Sequence, residues 1–257
     1  MKSFLCRAFG LYPGEDKNVW RFVLLALLAA FGSSIAEILS ISLFVEKVGP
    51  ASLPFAFMIT ACILIGASAL FLYFLRRTAP SRILSKVLSI AAAAYPIFAL
   101  ILISCSPGNW FWYLLQIVTY SFVAALIASY WTFLDEYHDL QDAKRVYGIY
   151  NASFFVGYIL SGSLINLTFD KIGPIPLFML VGLLMVPAIY QIGSINRRIR
   201  PVEDDATEGL LVGGKKGVLH LLRLFVSSPY TIFLVSTSLL VQLMRTTTEV
   251  SCMETFG

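Results

Sequence analysis

Six stretches of this chain are too long and too continuously apolar to suit a water-soluble fold. They run over 19–45, 53–75, 84–105, 110–134, 147–167 and 174–192. A helix needs about 20 apolar residues to cross the hydrocarbon core of a bilayer, and each stretch is long enough. Membrane strands would instead alternate in segments of about ten residues, and these runs do not alternate. A seventh run begins near Tyr230 and loses its apolar character at Arg245. The sequence therefore predicts an all-α membrane protein.

Composition agrees. Hydrophobic residues make up 58% of the 257 positions and charged residues 13%, whereas soluble domains carry about 25% charge. The net charge of +4 does not point to nucleic acid, because the cations are not pooled into one patch. They lie in the connections between runs, where they orient the chain. The N-terminal arm and the second, fourth and sixth connections hold fifteen Lys and Arg, against Lys47 and Lys171 in the first and fifth. Lys and Arg are retained on the cytoplasmic face, so the N-terminus is expected inside. Lys2 and Arg7 before an apolar run resemble a secretory signal, but that run far exceeds the 7–15 residues of such a segment. An uncleaved first span is the expectation.

Four segments follow: an arm over 1–18, a six-helix bundle over 19–195, a polar cytoplasmic linker over 196–217, and a closing segment over 218–257. In the last, Leu219, Leu222 and Phe225 share a helical face, predicting a short interfacial helix before the seventh span. Six helices, a charged linker and a new span is the layout of half a twelve-helix transporter.

Charges at membrane depth are the most informative residues, since burying one costs at least a few kcal/mol. Glu37 lies within the first run and is a candidate to bind a cation, a proton or a substrate amine. Arg245 and Glu249, four residues apart late in the seventh run, share a helical face and are the second candidates. The acids and histidine of 135–139, with Asp142, Lys144 and Arg145, fall in a connection where charge is cheap. They read as a salt-bridged hinge between helices rather than as catalytic or metal-binding groups. Gly209 to Lys216 approaches a phosphate-cradling loop but lacks the Ser/Thr and the preceding strand. Cys6, Cys62, Cys105 and Cys252 show no ligand spacing. No catalytic residue, metal or cofactor is expected. Gly148 and Ala152, then Ser153, Gly157 and Ser161, place small residues at four-residue spacing and predict close helix packing.

Several motifs carry a resemblance. Tyr130-Trp131-Thr132-Phe133, followed by Asp142-Ala143-Lys144-Arg145-Val146-Tyr147-Gly148, resembles the junction between the fourth and fifth helices of the ATP:ADP antiporter family, relatives of the major facilitator superfamily. Ser228-Pro229-Tyr230 with Glu249 and Val250 resembles that family's seventh helix, and Gly49 with Leu53-Pro54-Phe55 the start of its second. The resemblance implies an alternating-access nucleotide exchanger in a bacterial inner membrane, with Glu249 at the position of a functional acid. The sequence departs from the family where a substrate-binding lysine is typical, offering only Glu37 in the first run, and Thr119 with Gln116 stands where the fourth helix carries an acid. A substrate other than ATP or ADP is therefore a further expectation. The chain stops just after the seventh run, so a separate second half or a homodimer is the expected partner, beside the lipid bilayer and a small-molecule substrate. The alternative is a non-transporting scaffold or the remnant of a truncated transporter.

Overall fold

The computed structural model describes residues 16–199 apart from 76, 105 and 106. Arg245, Glu249, the seventh run and the linker beyond residue 199 lie outside the described residues, while the first linker residues, Asn196 to Arg198, continue the last described helix. Within them stand six long helices: α1 (Asp16–Lys47), α2 (Leu53–Leu75), α3 (Pro80–Ser104), α4 (Asn109–Asp135), α5 (Leu140–Ile172) and α6 (Pro174–Arg198). All six are long and apolar enough to cross a membrane, and no strand occurs among the described residues. The helices match the six apolar runs in order. Several overshoot them, α5 most of all, because a helix keeps satisfying its own backbone after it leaves the lipid.

Two of the reversals use the same device. Gly49 ends α1 and Gly173 ends α5, each at positive φ (101° and 73°). Their amides donate back to Val45 and Phe169 carbonyls at 3.1 and 2.9 Å. Each is followed by a proline that opens the next helical element, a short 3-10 turn (Pro50–Ser52) or α6 itself. Glycine tolerates the left-handed conformation without a Cβ clash, and proline suits a first helical position.

Chemistry is inverted relative to a soluble protein. The outer surface carries Ile65, Ile90, Ile159, Leu167, Leu183 and Val186, all exposed, while the interior holds serines, Thr60, Gln116 and Thr119. A contiguous exposed apolar surface of this kind needs lipid or another protein against it. Exposed Trp20 and Trp110 sit near the first residues of α1 and α4, where indole suits the membrane–water boundary. The protein is a multi-pass membrane protein.

The helix pairings show an internal order. The main packing pairs are α3 with α6, α1 with α5, α1 with α6, α1 with α4, α3 with α4, and α2 with α4; slighter contacts join α5 to α6 and α2 to α3. Exchanging α1 with α4, α2 with α5 and α3 with α6 returns the same set of pairs. Successive spans alternate in direction, so the two three-helix units run oppositely through the bilayer. α1 and α4 are the central pair, and α2 and α5 are the least buried helices.

Close approaches fix the pairs. A Cβ on Gly157 would stand 2.8 Å from Ala30 Cβ and 3.0 Å from the Phe31 amide nitrogen. Beside it, Ser161 Oγ donates to Ser34 Oγ at 2.6 Å. Ser153, Gly157 and Ser161 thus form the α5 face against α1, as the small-residue spacing predicts. Gly148 has open space at its Cβ and Ala152 is exposed, so the stripe's first pair belongs to a different face. Between α3 and α6, a Cβ on Gly182 would meet Pro96 Cγ at 2.5 Å.

Candidate functional site

Five polar residues from three helices gather inside the bundle. On α1, Glu37 and Ser40 are three residues apart and on one face; on α4, Gln116 and Thr119 have the same spacing. Ser40 Oγ donates to Gln116 Oε1 at 2.6 Å, tying the central pair together. Tyr95 of α3 completes the group: its hydroxyl lies beside Thr119 and within the electrostatic reach of Glu37. Taking the rise of a helix as about 1.5 Å per residue, all five lie within roughly 4–13 Å of their helix midpoints. They lie toward the same membrane face, because α4 runs opposite to α1 and α3.

The packing that positions them is apolar and aromatic. Tyr95 stacks on Phe178 of α6 (ring centroids 6.2 Å, planes 6° apart) and meets Phe122 edge-on at 5.8 Å. Tyr95, Gln116 and Thr119 are almost wholly buried, with exposures of 1%, 0% and 0%. Glu37 and Ser40 differ: Ser40 is buried, whereas Glu37 is half-buried on the margin of α1's packed face.

The cluster is incompletely satisfied. Tyr95 Oη, Gln116 Nε2 and Thr119 Oγ1 have no hydrogen bond of standard geometry despite full burial. The Tyr95 and Thr119 hydroxyls nevertheless lie close enough to one another to interact. Each such group costs about 1–3 kcal/mol when left unpaired in a dry interior. With Ser40 and Glu37 these groups form a polar cluster among the apolar side chains of the spans.

A second polar cluster closes the bundle where α4 turns into α5. Tyr137 donates to Asn196 Oδ1 of α6 at 2.6 Å. Tyr147 donates to Asp135, and Arg145 pairs with Asp142 at 2.8 Å. His138 Nε2 lies 3.0 Å from the Tyr150 hydroxyl, and its ring packs 5.2 Å from that of Phe22. A cavity of about 140 Å³ opens here, bordered by Asn18, Phe22, His138 and Arg145. Burial pushes the Tyr137 phenol up to about 12, with Glu136 adding to the effect, so it stays a donor at neutral pH. These contacts tie α1, α4, α5 and α6 together at this end, through hydrogen bonds and ring packing, while the Arg145–Asp142 pair lies within α5. Among the described residues, no group of three or more His, Cys, Asp or Glu could hold a metal.

Of the three residues singled out as site candidates from the sequence, Glu37 falls in the interior cluster. Tyr95 and Ser40 escaped sequence reading. An isolated tyrosine after Ala91–Ala94 was the available signal for the first, since its hydroxyl must find a partner at membrane depth. The chain matches no known protein family, and no curated protein or solved structure is significantly similar to it.

Proposed function

We propose that this protein is a carrier bundle, the six-helix half of a major-facilitator-type transporter, with its solute site on the central pair α1 and α4. The observation that carries this reading is the exchange symmetry of the helix pairings. Oppositely oriented repeats are the architecture with which secondary transporters build a midplane site, and here four of the five cluster residues lie on the two central helices, α1 and α4. The exposed flanks α2 and α5 are exchanged by the same symmetry and suit a second half or a second copy.

The ATP:ADP antiporter resemblance makes nucleotides the first substrates to test. Charge argues for a different substrate class. Among the described residues, Lys and Arg lie toward the helix ends, at 17, 21, 47, 77, 82, 86, 144, 145, 171, 197 and 198. A polyanionic phosphate needs a facing cation, whereas this interior offers a carboxylate, hydroxyls and an amide. A neutral or cationic solute fits those groups better.

Uptake into proteoliposomes tests the proposal, with labelled nucleotides in one arm and amino acids, amines and sugars in the other. Saturable uptake that Glu37→Gln reduces at least about tenfold supports the carrier reading. No uptake of any solute, from protein shown to be folded and inserted, favours the non-transporting scaffold.

A further inference from the structure

We propose that the first two turns of α3, with the arginine that follows α2, bind the headgroup of an anionic phospholipid. Charge is one-sided in this part of the chain. Between Lys47 and Asp135 the sequence carries Arg76, Arg77, Arg82 and Lys86 and not one acid. Orientation in the membrane requires such cations on one side of the bilayer. It does not dictate which face of a helix they occupy, and that is what the structure adds.

α3 packs inward through Leu84, Leu88 and Tyr95, all buried. Arg82 and Lys86, one turn apart, are exposed on the opposite side, in line with exposed Ile97 and Leu100. The two cations thus head a stripe that faces lipid. Lys86 stands about 9 Å along the axis from Pro80, the first residue of α3, and falls inside the apolar run over 84–105. A lysine facing lipid at that depth extends its stem toward the headgroups, where phosphate is the available counter-charge.

The bundle supplies no other counter-charge to this stripe. Neither side chain makes a hydrogen bond or ion pair among the described residues. Glu136, the acid that α4 brings to this end, is engaged by the Ser81 backbone. Across the short connection, Arg77 lies over the exposed Tyr73 ring, 4.6 Å from its centroid, which holds a third cation near the end of α2.

These features select a lipid by its charge. Basic clusters beside a span attract anionic headgroups. Arg82 offers a planar fork to two phosphate oxygens, and Lys86 adds a point charge one turn further in. A zwitterionic lipid carries its own cation beside the phosphate, which the three basic side chains repel. The acyl chains would lie along Ile97 and Leu100. This site stands whether or not the protein carries a solute.

The test is thermal unfolding of the full-length protein in detergent, with phosphatidylglycerol or phosphatidylcholine of identical acyl chains added in increasing amounts. Phosphatidylglycerol is expected to raise the melting temperature over phosphatidylcholine by about 3–6 °C at ten times its midpoint, along a saturating curve. Arg82→Gln and Lys86→Gln, both at exposed positions, should each raise that midpoint about fivefold. Lys144→Gln, an exposed cation on α5, should leave it unchanged. Glycerol phosphate, which has the phosphate without the chains, should not shift melting.

Equal melting in the two lipids overturns the proposal. So does a preference that Lys144→Gln weakens as much as Lys86→Gln, since that is diffuse surface attraction rather than a site. A rise with glycerol phosphate equal to that with phosphatidylglycerol also overturns it and leaves a site for soluble anions.

Discussion

Gly157 on α5 lies so close to Ala30 on α1 that a Cβ added there would stand 2.8 Å from the Ala30 Cβ. Non-bonded carbons essentially never sit that close, and the Phe31 amide nitrogen and Leu27 carbonyl oxygen, at 3.0 and 3.1 Å, are backbone that cannot swing aside. Gly157→Ala must therefore push the helices apart. Overpacking of this kind costs about 1–3 kcal/mol, so the melting temperature of the purified protein should fall by roughly 2–10 °C. Gly148→Ala, where the Cβ meets open space, should leave melting unchanged or raise it slightly, since alanine is the better helix former.

That contrast shows where the sequence could and could not be read. Four-residue spacing marks small residues that share a helical face, but it does not say which face meets a neighbour. Gly148 and Gly157 look alike in the sequence and differ wholly in surroundings. The spans were legible because the bilayer imposes length and apolarity on each segment independently of its neighbours. Glu37 was legible because a charge is conspicuous in an apolar run. Tyr95 was not, because its significance comes from Thr119 and Glu37, which are remote in sequence and meet it only after three helices have packed. Ser40 needed Gln116, 76 positions away, for the same reason.

Gly182 makes the corresponding close approach between α6 and α3. Its added Cβ would meet the Pro96 ring at 2.5 and 2.8 Å and the Ala92 carbonyl oxygen at 3.0 Å. Gly182→Ala should destabilise by about 1–3 kcal/mol. Pro96→Ala removes the ring atoms responsible for the shorter contacts, so the double variant should recover part of the loss. A double-mutant cycle in thermal unfolding measures the coupling. Simple additivity of the two losses would mean that the contact does not govern this pair.

The Tyr137–Asn196 hydrogen bond joins the α4–α5 turn to α6. Tyr137→Phe keeps the ring against Phe22 and Phe133, at 5.7 and 5.1 Å, and deletes only the donor. Stability should fall by about 0.5–1.5 kcal/mol. Asn196→Ala should cost about the same, and the two changes together little more than either alone. A carrier that rocks about this end should also show altered turnover with unchanged apparent affinity, read from initial rates of uptake.

Orientation can be tested by the same end of the molecule. With fifteen Lys and Arg on one side and two on the other, residues 77–79 and the α4–α5 turn should face the cytoplasm, and Gly49 and Gly173 the opposite side. Single cysteines placed at Thr78 and Lys171 in a background lacking the native four should react oppositely with an impermeant maleimide on intact cells: Lys171→Cys labelled, Thr78→Cys protected until the membrane is opened. The reverse pattern would invert the topology without changing the fold.

Glu136, which caps α4, gives the pH dependence its sign. Its carboxyl is raised above the usual carboxylate range mainly by desolvation, opposed by a hydrogen bond from the Ser81 backbone, and Oε2 has no partner. A carboxyl raised on folding binds its proton more tightly in the native state than in the unfolded one. Its contribution therefore favours folding at acid pH and is lost as pH rises from the ordinary carboxylate value through the raised one. Glu136→Gln mimics the protonated form, so it should flatten that part of the stability-against-pH curve. At neutral pH it should melt at the same temperature as wild type or about 1–2 °C higher, because solvent at the helix end screens the charge. A marked loss of stability at neutral pH would show instead that the ionised carboxylate holds the start of α3, favoured by its position at a helix N-terminus. Thermal unfolding from pH 4 to 8 on both proteins decides between these outcomes.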